Sequence, residues 1–270
     1  MKVYNYVIVL LAILLALLGC KQNKQTYHTK RTFPVFVNIE TVDEQLKIDT
    51  SAMVRSASNV LYIGKDLDTI SLNYKWAGFS PFPPPPPFSP RHLSKNVKID
   101  SVKFRNKVDD FLKKVKENPV YPYYADFLEI DKFKSWSKAK VLIRIDTSIV
   151  TKERAINQYS DEDIFYQAYP VYIKNEEEDS VIIGYDRFIP LILEAKDSLN
   201  QWRPIEKNYK FKCGMGISGI ILPPKYVIIS SKIIFKGNFK TQLRLKLGNN
   251  YSNEYMGYIN YSQFNDNLLY

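Results

Sequence analysis

The 270-residue chain has little of what most enzyme sites are made of, with two cysteines, two histidines and no clustered metal-ligating residues. Two cysteines cannot build a disulfide scaffold. Two histidines, His28 in a polar stretch and His92 beside a proline run, leave no partner set for a serine or cysteine nucleophile. No cofactor or metal site is expected. The longest apolar run, Val7–Leu18, has twelve residues. As a helix it would reach about 18 Å at roughly 1.5 Å per residue, too short for a hydrocarbon core of about 30 Å. That excludes a membrane-spanning helix at this site. What remains is ordinary for a globular chain, 45% hydrophobic, 24% charged and 14% aromatic.

Lys2 before the apolar run and Leu17-Leu18-Gly19-Cys20 closing it have the layout of a secretory leader. The tetrapeptide resembles the lipobox of bacterial lipoproteins. That resemblance implies cleavage before Cys20, acylation of its sulfur, and a membrane anchor made of lipid. Residues 1–19 are then a signal peptide, and the polar residues 20–32 a flexible tether. Leu18 departs from the small residue more common there. Lys21 carries neither an inner-membrane aspartate nor an acidic surface-export run, so the resemblance implies the periplasmic face of the outer membrane. With Cys20 lipidated, Cys213 has no partner and reads as a small buried hydrophobe.

The net charge of +10 comes from 29 lysines and 9 arginines against 28 acids. The lysines are scattered along the chain, which argues for a solvated surface and against a nucleic-acid partner.

Residues 33–80 read as strands. Phe33, Val35, Val37 and Ile39 alternate with Pro34, Phe36, Asn38 and Glu40, and residues 60–63 and 70–74 suggest a hairpin through Gly64-Lys65-Asp66. Seven prolines in residues 81–90 impose polyproline II, so 81–92 read as a stiff spacer. Residues 93–137 are expected to be a helical insert. Phe104, Val108, Phe111, Leu112 and Val115 form one stripe at helical period, and a second helix is expected over Tyr123–Trp136. From 138 to 270 strands alternate with turns, and Thr241–Leu247 alternates most cleanly. Other strands are expected at 168–174, 181–194, 202–212, 217–222, 226–235 and 254–260. The fold class is mainly β (α+β). The order of Pro223-Pro224, Tyr226 and the leucine strand resembles the back half of an immunoglobulin-like or fibronectin-like antiparallel β-sandwich.

Gly214-Met215-Gly216-Ile217-Ser218-Gly219 matches the dinucleotide fingerprint in spelling only, because Pro223-Pro224 bars the helix that must follow. Carboxylates at Asp109-Asp110, Asp161-Glu162-Asp163 and Glu176–Asp179 read as wet turns and faces. Thr69, Ser101, Ser180 and Ser198 each follow an aspartate and precede an aliphatic residue. That triplet resembles the acceptor of a bacterial periplasmic O-glycosylation system, and it also suits a turn before a strand. The expected function is a non-catalytic envelope lipoprotein that binds an envelope protein, glycan or peptide. The alternatives are an inhibitor or immunity protein against an incoming enzyme, and a hydrolase using paired carboxylates.

Overall fold

In the computed structural model the described residues are 33–47, 55–56, 58–75, five positions between 105 and 113, 121–125, 127–156, 164–185, 188–206 and 218–264. Before the proline run stand β1 (Val35–Val37), β2 (Leu46–Lys47), β3 (Arg55–Ser56), β4 (Tyr62–Lys65) and β5 (Thr69–Ser71). Next come β6 (Tyr124–Ala125), β7 (Lys134–Ser135), β8 (Val141–Ile145), β9 (Thr151–Ile156), β10 (Ile164–Asn175) and β11 (Val181–Tyr185). The last group is β12 (Ile192–Lys196), β13 (Trp202–Pro204), β14 (Gly219–Leu222), β15 (Tyr226–Ile233), β16 (Phe235–Lys236), β17 (Phe239–Leu247), β18 (Asn250–Tyr251) and β19 (Tyr255–Ile259). The fold is mainly β and sandwich-like, with three larger sheets built chiefly from antiparallel pairs.

The longest strand, β10, organises the six-stranded sheet. One edge pairs with β15, and the other pairs first with β9 and then with β8. The gap between β8 and β9 has a chemical cause. Pro170 accepts the Asp146 N–H through its carbonyl at 3.0 Å, and its missing N–H would face that same edge. The chain loops out there over 146–150, fastened by Asp146 Oδ1, which accepts from the backbone N–H and hydroxyl of Ser148.

The residues preceding the proline run join this sheet, with β4 on β15 and β3 on β9. The expected hairpin is therefore replaced. Residues 60–65 serve β15, while β5 runs parallel to β1, and one bond from Asn73 N–H to the Leu61 carbonyl links the two segments. The alternation in β1 holds, and the face that carries Phe36 turns inward. Phe36 is buried with Leu61, Ile70, Leu72 and Val227, while Val35, Val37 and Ile39 are exposed. This small core covers one side of the six-stranded sheet, and the main core lies against the other. Burial on both faces explains the unbroken apolar run Val227-Ile228-Ile229.

The four-stranded sheet runs β6-β14-β11-β7 and the five-stranded one β13-β12-β17-β18, with β19 also on β17. The expected strand over 181–194 divides between them. Tyr185 and Phe188 exchange backbone bonds, and Pro190 cannot donate, so β11 ends in one sheet and β12 begins in the other. Of 202–212, only Trp202–Pro204 is strand among the described residues. Among the described residues of 123–136 the expected helix is absent. Two 3-10 turns, Tyr121–Tyr123 and Phe127–Lys132, alternate with β6 and β7, which pair with β14 and β11. In the stretch read as the best helix, Arg105, Asn106, Asp109, Asp110 and Lys113 are helical and exposed, and the apolar stripe lies outside the described residues.

Candidate functional site

β17 carries two chemistries on its two sides. Leu243, Leu245 and Leu247 enter the main core, so Lys240, Gln242, Arg244 and Lys246 point outward. The register then assembles a surface. Glu194 of β12 lies opposite Arg244, Lys196 opposite Trp202, Tyr251 opposite Lys246, Met256 opposite Gln242, and Tyr258 opposite Lys240.

Arg244 is the centre of that surface. Its guanidinium carbon lies 4.2 Å from the Trp202 ring centroid and 4.1 Å from that of Tyr251. Its Nε and Nη2 both donate to Glu194 Oε2, at 2.9 and 2.7 Å. Lys246 Nζ stands 3.4 Å from Glu194 Oε1. Lys196 lies 5.0 Å from the Trp202 centroid and donates to Gln242 Oε1 at 2.6 Å. Lys240 lies 5.6 Å from the ring of Tyr258. Each cation–π contact is worth about 0.5–1 kcal/mol at an exposed site, so together they hold long side chains in one arrangement. Among the described residues the face carries four cations and one carboxylate. Met256, Tyr258 and Tyr251 remain 54%, 50% and 44% exposed, a large apolar content for the wet side of a sheet.

Beside this face, between β16 and β19, opens a cavity of about 450 Å³ whose walls include Tyr169, Leu193, Ile233, Phe235 and Tyr255. Met256 and Tyr258 also line it. Tyr169 and Tyr255 meet edge to face at 5.9 Å. Burial pushes the Tyr255 phenol far above its ordinary value, and the charge of Glu206 adds to the rise. Glu206 itself pairs with buried Lys232 at 2.5 Å and accepts the Leu193 N–H at 3.1 Å.

Of the residues singled out from sequence, Cys20, Cys213, His28, His92, Ser101 and Asp161–Asp163 lie outside the described residues. Thr69 is exposed at the start of β5, and Ser180 is half-buried before β11. Ser198 is exposed in the β12–β13 turn and shares a 2.9 Å bond with the Tyr261 hydroxyl. The acidic turn after β10 is engaged by lysines, with Glu176 on Lys140, Glu177 on Lys134 and Glu178 on Lys225. Gly219, third glycine of the fingerprint-like stretch, opens strand β14. Tyr226 opens β15 after a turn in which Lys225 has φ 63°, and its ring packs on Tyr123 at 6.2 Å. Among the described residues no group of three or more His, Cys, Asp or Glu could hold a metal ion, and no helix is long and apolar enough to cross a membrane. Trp202, Arg244, Tyr251 and Tyr258 were not visible as a set in the sequence; the alternating cations of β17 were the one signal of it.

Compared with known families, curated proteins and solved structures, the chain matches none.

Proposed function

We propose that this protein is a lipid-anchored envelope protein that binds a ligand and does not catalyse a reaction. In this reading Cys20 carries the acyl chains, residues 20–32 are the tether, and the body stands at the periplasmic side of the outer membrane. The anchor rests on Leu17-Leu18-Gly19-Cys20 following a twelve-residue apolar run. The binding role rests on one observation, the ordered row of cations and half-exposed rings on the outward side of β12, β13 and β17–β19. Trp, Tyr and Arg are the side chains that most often dominate recognition surfaces, and here they are held in place before any ligand arrives. The lysine partners of the Glu176–Glu178 turn favour a structural role for those acids over an acid/base role.

Metabolic labelling with a palmitate analogue tests the anchor. The protein takes up label and sediments with membranes, and Cys20→Ser abolishes both. Photocrosslinking from Tyr258 in intact envelopes tests the role, with a discrete adduct expected there and none from exposed Asp110. A Cys20→Ser protein that stays in the membrane pellet would overturn the reading.

A further inference from the structure

We propose that the outward face of the five-stranded sheet binds an acidic polysaccharide, a polymer with a carboxylate on its sugars, lying along β17. This rests on the envelope-binding reading above and adds the ligand's chemistry to it.

Three observations carry it. The first is linear charge. Lys240, Arg244 and Lys246 share the outward side of one strand, about 14 and 7 Å apart at roughly 3.4 Å per residue. Lys196 adds a fourth cation from β12, and against these four the described residues of the face set only Glu194. A line of positive charge is complementary to a linear polyanion. The second is the pair of aromatic flanks, Trp202 on one side of that line and Tyr251, Tyr258 and Met256 on the other. Rings at 44–50% exposure offer flat apolar surface to sugar rings, and tyrosine hydroxyls and the Gln242 amide can exchange hydrogen bonds with sugar hydroxyls. The third is preorganisation. Arg244 is clamped by Glu194 and by two rings, so binding freezes little further side-chain freedom. A single-stranded nucleic acid shares the line of charge but belongs to another compartment than a lipoprotein. An anionic bilayer is a plane of charge and would use neither flank in this way.

The test uses the full-length lipidated protein in neutral-detergent micelles, with polygalacturonate as probe. Neutral dextran, a single-stranded oligothymidylate and phosphatidylglycerol vesicles are the other arms. Polygalacturonate binds, raised salt weakens it, and dextran does not bind. Trp202→Ala and Arg244→Gln each weaken binding at least tenfold. Lys240→Gln and Tyr258→Ala, at exposed positions outside the clamp, weaken it about threefold with the circular dichroism spectrum unchanged. Absence of polygalacturonate binding overturns the proposal, as does binding insensitive to Lys240→Gln and Tyr258→Ala, or tighter binding to oligothymidylate or vesicles. Acyl labelling of Cys20 on the same preparation separates the two readings. Label without polysaccharide binding refutes only the ligand, and absence of label refutes the anchor.

Discussion

The side chain of Asn253 takes the place of a neighbouring strand for Ile145. Its Oδ1 accepts the Ile145 N–H at 2.9 Å and its Nδ2 donates to the Ile145 carbonyl at 3.1 Å. Asn250 does the same at the other end of β8, accepting from Val141 N–H at 3.2 Å and donating to the Ala139 carbonyl at 2.9 Å. β8 pairs with β10 along one edge, so these two amides cap both ends of its other edge and join the six-stranded sheet to the five-stranded one.

Asn253→Ala should therefore cost about 1–3 kcal/mol, because it leaves both backbone groups of Ile145 without these partners. Urea denaturation gives the loss. Faster amide exchange at Ile145, with Ile173 of β10 unchanged, localises it.

Lys232 and Glu206 form a pair in which the lysine side chain is 2% exposed and the carboxylate 16%. Glu206→Gln strands a buried cation, and a loss of about 3–5 kcal/mol is expected. The double variant Lys232→Met, Glu206→Leu should lose less than Glu206→Gln alone, since it leaves no buried charge. Thermal melts of the three proteins check the order.

Gly248 turns the chain between β17 and β18 at φ 60°, and a Cβ there would come within 2.6 Å of Ser137 Cα and 2.8 Å of the Trp136 carbonyl oxygen. Gly248→Ala meets a left-handed backbone that costs about 1–2 kcal/mol, and a rigid backbone contact besides. A loss of at least 2 kcal/mol is expected in chemical denaturation.

Two ionisable groups give opposite pH dependences. Glu177 Oε1 accepts from Lys134 Nζ at 2.7 Å and from Lys140 N–H at 2.6 Å, which holds its carboxyl below the ordinary 4.5. Its stabilisation is present above that value and disappears as pH falls through the lower folded value. The gap in melting temperature between the native protein and Glu177→Gln should shrink on acidification below 4.5. Tyr255 is shifted the other way, far above its ordinary 10.0 by burial and then by Glu206. Its contribution is whole below pH 10 and is lost as pH rises from there towards the folded value, because the unfolded phenol ionises first. Tyr255→Phe should flatten the alkaline decline in melting temperature above pH 10.

The best-read element was β17, whose leucines alternate with polar residues over one wet face. β9 escaped because its inward side is Thr151, Glu153 and Ala155, so burial there leaves no apolar period. Which side of β1 turns inward has no local signature, because a single ring, Phe36, outweighs three β-branched residues once Ile70 and Leu72 pack with it. The candidate site was unreadable for a different reason. Trp202, Arg244 and Tyr251 are brought together only by the β12–β13, β12–β17 and β17–β18 registers, and register between distant strands has no local signature.

Ile63 of β4 pairs with Ile228 of β15, so partners in one ladder stand 165 positions apart in the chain. A ribosome adding roughly 5–20 residues per second needs about 8–33 s to bridge that interval. The first-made part of the body thus waits, with the ladder edge of β4 unpaired, for its mate to be synthesised. Nascent chains halted before residue 226 should stay protease-sensitive throughout residues 58–75, and would be natural clients for a holding chaperone.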